Sequence, residues 1–129
     1  MFLNNRAIRS ALVIPVSAWF LAIITGAGHS TQYGKASWYA LTSITASGER
    51  ANPDAMTVAH RSLSFGTRIR VTNLRNSQSV ILCVNDRGPF IEHRIVDVTK
   101  AAAQKLGFVQ SGLTDVRVDV VESKYQDCK

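Results

Sequence analysis

The chain has 129 residues, 46% of them hydrophobic and 19% charged, which fits one compact domain and excludes a large multidomain enzyme. An aromatic content of 8%, with eight glycines and three prolines, excludes collagen-like, low-complexity and wholly disordered chains. The formal charge is +6, but the basic residues are scattered along the chain (Lys35, Arg50, Arg61, Arg68, Arg70, Arg75, Arg87, Arg94), which argues against a nucleic-acid partner.

Residues 1–10 carry Arg6 and Arg9 and no acid, and residues 11–27 (ALVIPVSAWFLAIITGA) carry no ionisable side chain and end in small residues. A basic start, an apolar middle and a small-residue exit are the parts of a secretory signal peptide, with cleavage expected after Ala27. A retained anchor is the alternative, but an apolar run of about 17 residues broken by Pro15 is at the short limit for a bilayer span. Cleavage removes two arginines and leaves a modest positive charge with no stable membrane anchor; such a field favours encounter with anionic wall polymers. The division expected is a signal peptide over 1–27, a linker over 28–32, a domain over 33–122 and a C-terminal tail over 123–129.

In the exported part, brief alternating or β-branched runs are separated by turn residues. Residues 35–39 form one run. Residues 67–74 (TRIRVTNL) alternate Ile69 and Val71 with Arg68, Arg70 and Thr72, the period of a half-buried strand. Asn76 and Ser77 make a turn and 79–85 (SVILCVN) return, so 67–85 reads as a β-hairpin. Residues 94–98 and 115–121 are two further strands. Between them, residues 99–106 read as a helix, with Thr99 as N-cap, Ala101–Ala103 as strong helix formers and Gly107 as the stop. About six short strands and one helix must share a core, and an antiparallel or mixed barrel does so without open edges.

Two cysteines, Cys83 and Cys128, can bridge in an oxidising compartment. The bridge would close a loop of about 45 residues and add roughly 3–4 kcal/mol in the chain-entropy model; a half-buried Cys83 with a free Cys128 thiol is the alternative. Polar groups that strand patterning does not require occur at TASGE (45–49), at His60 and at NDRGPF (85–90). Asp86 ends an apolar strand at a stiff Gly-Pro turn, where it either caps backbone amides or presents a carboxylate at a cleft. Glu49 read alone is a solvated acid, and His60 read alone is a structural histidine. Converging on one cleft, the three would shift one another's protonation. No HxxxH, HxH or CxxC spacing is present, so the reading requires no metal and no cofactor.

GKASWY (34–39), TASGE (45–49), MTVAHRSLSFGTRIRVTN (56–73), NDRGPF (85–90) and RIVDVTKAAAQKLG (94–107), in that order, resemble the RlpA (rare lipoprotein A) family over about residues 33–121. The resemblance implies a mainly β fold, a six-stranded double-psi β-barrel with one short helix. It also implies a periplasmic or extracellular endolytic peptidoglycan lytic transglycosylase, preferentially acting on glycan strands stripped of stem peptides; a monomer is expected. Carried over by motif, the family's essential acid falls on Asp86, its glutamate on Glu49 and its histidine on His60. Ser47, Asn85, Arg87 and Tyr39 are the expected substrate-binding residues. A lytic transglycosylase needs a single carboxyl group, because the muramic acid's own C6 hydroxyl is the nucleophile; that role is expected of Asp86, biased by Glu49 and tuned by His60. The lipid-attachment cysteine of the namesake proteins is missing. The alternative of another class is a non-hydrolytic expansin-like or barwin-like wall-binding module, with Trp38 and Tyr39 as a sugar-stacking face or as core.

Overall fold

The computed structural model describes residues 30–123 and 127–129; the expected signal peptide over 1–27 lies outside them. Six strands, β1 (Gln32–Tyr39), β2 (Thr57–His60), β3 (Arg68–Asn73), β4 (Ser79–Asp86), β5 (Arg94–Thr99) and β6 (Leu113–Glu122), close into one barrel in the order β1-β5-β2-β4-β3-β6. The β1/β5 and β2/β4 pairs are parallel and the other four are antiparallel. The barrel is therefore mixed and has no free edge. β1 begins at Gln32, inside the expected linker.

Alternation directs the packing. Ile69 and Val71 of β3, Leu82 and Val84 of β4, Val96 and Val98 of β5, and Val116 and Val118 of β6 meet Val58 inside the barrel, while Arg70 between two of them is exposed. Helix α1 (Lys100–Leu106) adds Ala102, Ala103 and Leu106 to this core. Thr99 caps it, its Oγ1 accepting from the Ala102 amide, and Gly107 ends it at φ 79°, a left-handed conformation that glycine takes without a Cβ penalty. The helix's last carbonyl is also satisfied from the barrel: the Nδ2 groups of Asn73 and Asn76 donate to the Leu106 oxygen at 2.8 and 2.9 Å. Asn73 thus points inward as a polar pin, its Oδ1 accepting from Thr114 Oγ1 at 2.8 Å. The β3–β4 hairpin pairs Thr72 with Ser79 and turns through Ser77 at φ 62°.

Two irregularities of register position the site. Along β1/β5 the pairing steps from Lys35↔Arg94 to Ala36↔Val96, leaving Ile95 as an extra residue. Gly34 fits there because a Cβ would lie 2.7 Å from Ile95 Cγ2 and 3.2 Å from the His93 oxygen. Along β2/β4 the pairing steps from Val58↔Val84 to Ala59↔Asp86, leaving Asn85 as the extra residue. Strict alternation after the buried Val84 would turn Asp86 into the core; the bulge restores it to the outer face shared with Cys83. Cys83 and Cys128 are joined by a disulfide, with Cα atoms 5.6 Å apart.

Candidate active site

The strand registers lay a polar row across the barrel wall. Ala59 of β2 pairs with Asp86 on one side and Asp97 on the other, and Asp97 pairs with Ser37 of β1. Paired positions share a face of the sheet. Two carboxylates therefore stand on one face, separated in the row by a methyl group, with their strands about 10 Å apart at the backbone. Two residues along, Tyr39 of β1 pairs with Thr99, and its hydroxyl shares a hydrogen bond with Thr57 of β2.

The two acids are held differently. Asp86 Oδ1 accepts from the backbone amides of Ala46 and Arg87, each at 2.9 Å. These bonds fasten the 45–49 turn to the end of β4 and engage Asp86 as an acceptor. Asp97 takes no backbone donor among the described residues; the Ser37 hydroxyl donates to its Oδ1. Burial pushes the Asp97 carboxyl above its ordinary value; the Arg94 guanidinium opposes this, and the Asp86 charge adds to it. Tyr39 is raised to about 12, first by burial and then by the charges of Asp86 and Asp97. Its phenol therefore remains a neutral hydrogen-bonding group beside both acids.

Glu49 stands at a neighbouring cleft of about 540 Å3 lined by Gly48, Glu49, Arg50, Asn52, Ala55, Thr57, Asn85, Cys128 and Lys129. Thr57 and Asn85 join this cleft to the acid row, since Thr57 bonds Tyr39 and Asn85 precedes Asp86. Glu49 Oε1 accepts from the Cys128 amide at 3.3 Å. Ser47 shapes the turn: its hydroxyl bonds Thr45 Oγ1 at 2.9 Å and accepts from the Glu49 amide at 3.3 Å, and its amide donates to the Asn85 oxygen at 3.2 Å.

His60 lies elsewhere. Only 3% exposed, it borders a separate hollow with Gln32, Arg61, Ser62 and Ile95. Its Nδ1 accepts from the Ser62 and Leu63 amides at 3.1 and 3.0 Å. The ring proton is thereby placed on Nε2, which bonds Gln32 Oε1 at 2.9 Å. Burial, then Arg87, then Arg61 lower its pKa below the ordinary imidazole value, so His60 is a neutral pin for the chain leaving β2. Arg87 is similarly occupied: its Nη1 donates to the His60 and Leu63 carbonyls at 3.2 and 2.7 Å, and its guanidinium lies 3.9 Å over the Phe65 ring. Of the residues singled out from sequence, Asp86 and Tyr39 share the acid row. Glu49, Asn85 and the Ser47 turn border the adjoining cleft, and His60 and Arg87 brace the loop behind. Trp38 packs against the core, its Nε1 donating to the Val109 oxygen at 3.0 Å.

Asp97 is not among the residues singled out from sequence, where it belongs to the RIVDV strand. The available signal was a lone acid facing outward in an otherwise β-branched run that leads directly into the Thr99 helix cap.

A closed mixed six-stranded barrel carrying a partly buried carboxyl beside a second carboxylate and an open cleft defines a small β-barrel protein with an acidic surface site. The family model described as lytic transglycolase matches residues 31–118, and the chain belongs to that family. A relative from Nostoc sp. named "Probable endolytic peptidoglycan transglycosylase RlpA" is 51% identical over 94 residues, covering 73% of this chain and 25% of that protein. One from Neisseria meningitidis serogroup A, "Endolytic peptidoglycan transglycosylase RlpA", is 50% identical over 94 residues, covering 70% of this chain and 39% of that protein. The chain thus spans between a quarter and two-fifths of the length of these two relatives. Among solved structures, the Streptomyces papain inhibitor (TM-score 0.63, 20% identity, covering 72% of this chain and 96% of that one) shares the barrel fold. So does a Clavibacter michiganensis expansin (TM-score 0.59, 24% identity, covering 75% of this chain and 53% of that one).

Proposed function

We propose that the chain is an exported, endolytic lytic transglycosylase of the cell wall. It would cleave the β-1,4 bond between N-acetylmuramic acid and N-acetylglucosamine in peptidoglycan glycan strands, leaving 1,6-anhydro ends. Membership of the lytic transglycolase family supports the reaction class, and the signal-like residues 1–27 support a periplasmic or cell-wall location. The observation that carries the reading is the Asp86/Asp97 pair flanking Ala59, with one member's ionisation disfavoured by burial.

The chemistry follows from that inequality. In its protonated form, which burial favours, Asp97 donates its proton to the departing glycosidic oxygen as the bond to the muramic acid C1 breaks. The C6 hydroxyl of the same sugar then attacks C1 and returns its proton to the Asp97 carboxylate, so no water is consumed and the acid is regenerated. Asp86, fixed by two amides, supplies negative charge opposite the cationic sugar ring and holds up the proton affinity of its partner. Ser37 fixes the orientation of Asp97, and Tyr39 offers a neutral hydroxyl beside both. The sequence reading gave the proton-transfer role to Asp86; the burial and bonding of the two groups favour Asp97 for it and leave Asp86 as the electrostatic partner. Digesting peptide-free glycan strands and weighing the products tests the reading: anhydro-ended fragments are expected, and strands bound but intact would instead support a wall-binding module.

A further inference from the structure

The disulfide joins two sulfurs of unequal access. Cys128 lines the cleft beside the acid row, whereas Cys83 does not line it and is 2% exposed on β4. A thiolate entering the cleft therefore meets Cys128 first. The lining sets two cations, Arg50 and Lys129, against one acid, Glu49, which favours an anionic nucleophile there. On the other side of the bond, Cys83 pairs with Arg68 of β3. Paired residues share a face, and a neighbouring guanidinium stabilises the thiolate that Cys83 becomes when its sulfur leaves. Residues 127–129 belong to no strand or helix, so the barrel's ladders do not hold them. The covalent bond does, and it brings the Cys128 amide to Glu49 Oε1 at 3.3 Å.

We propose that Cys128 is a thiol–disulfide exchange site, open to a dithiol through the cleft, and that reduction there releases Cys128 and Lys129 from the cleft wall and Glu49 from the Cys128 amide. One thiolate of the dithiol bonds to Cys128 Sγ as the bond to Cys83 breaks, and Cys83 leaves with the electron pair. The second thiol of the partner, as thiolate, then displaces Cys128 from the mixed disulfide. The dithiol ends as a disulfide, and the two cysteine thiolates take up protons. Thr57 and Asn85 join this cleft to the acid row, so the redox state of its wall sets how open the approach to that row is. The device is independent of the glycan reading and holds whatever substrate the acids take.

The test uses the full chain and two thiols. Glutathione, a monothiol, stops at the mixed disulfide, which peptide mass after acid quenching should find on Cys128. A mixed disulfide on Cys83, or none, would overturn the exchange site. Dithiothreitol completes the reduction, which amide NMR follows. In the oxidised chain the Cys128 and Lys129 amides should have order parameters near the rigid value of about 0.85, falling below about 0.6 on reduction. Chemical-shift changes should be confined to 45–50, 83–86 and 127–129, and Cys128→Ser should reproduce the reduced spectrum without any thiol. Order parameters that do not change would overturn the release. Shifts spread over β3 and β6, or an unfolded spectrum for the reduced chain or for Cys128→Ser, would show that the bond braces the whole barrel and would overturn a local strap. None of these readouts involves turnover, so loss of the transglycosylase reading would leave the exchange site standing.

Discussion

Asp86 and Asp97 flank Ala59 on the two strands paired with it, and among the described residues only Asp86 is engaged by backbone amides. This asymmetry has a thermodynamic signature. Folding raises the Asp97 pKa, chiefly by burial, so the native state binds more protons than the unfolded chain once the pH exceeds the ordinary carboxyl value, and stability falls as the pH rises through that window. Asp97→Asn removes the cost while keeping an acceptor for the Ser37 hydroxyl. The variant should melt higher than the parent at pH 7 and equal to it near pH 3, where both are neutral at this position. No gain at pH 7 would mean that Asp97 is not held in the way described. If Asp97 transfers the proton as proposed, this cost is an exchange of stability for activity.

His60 has the opposite dependence. Its folded pKa is depressed by burial and then by Arg87 and Arg61, so unfolding takes up a proton below the free imidazole value. The contribution is present above about pH 6.5 and is lost as the pH falls toward the folded value. His60→Gln should therefore flatten the loss of stability between about pH 6.5 and pH 5, as followed by urea midpoints. A parent profile as flat as the variant's would contradict the neutral, doubly amide-bonded ring.

The disulfide closes a loop with a sequence separation of 45, for which the chain-entropy model gives roughly 3–4 kcal/mol. Cys83→Ala/Cys128→Ser should lower the unfolding free energy by about that amount, and a reducing agent should lower the melting temperature of the parent but not of the double variant. Identical melting of parent and variant in oxidising buffer would show that the bridge contributes nothing.

Gly34→Ala tests the β1/β5 bulge. A methyl 2.7 Å from the branched Ile95 side chain and 3.2 Å from the His93 oxygen must displace backbone, at a cost of about 1–3 kcal/mol. Pairing it with Ile95→Ala should recover part of the loss; full additivity would indicate that the two do not touch.

Much of this fold is written locally. The alternation in TRIRVTNL and SVILCVN, the Thr99 and Gly107 caps and the hairpin between Asn73 and Gln78 each depend on near neighbours, and each is found in the structure. β2 is not legible in the sequence, because four residues flanked by polar loops carry too little periodicity, and both of its pairings are with strands distant in sequence. The candidate site was legible only in part for the same reason. Asp97 gains its surroundings from Ser37 and Asp86 through registers set by two bulges, and nothing in NDRG marks Asn85 as the residue that turns Asp86 outward. Nor does local sequence show that the His60 ring bonds the loop after β2 and Gln32 of β1, or that the Arg87 guanidinium bonds the His60 and Leu63 carbonyls.

The most direct test of the central claim is the pH dependence of anhydro-sugar release from peptide-free glycan by the parent, Asp97→Asn and Asp86→Asn, with products identified by mass. The account predicts that Asp97→Asn loses release at every pH. It predicts for Asp86→Asn a residual rate, with the falling alkaline limb of the profile moved to lower pH because the neighbouring charge no longer supports the Asp97 proton. Full activity in Asp97→Asn, with release abolished in Asp86→Asn, would contradict the account and return the proton to Asp86.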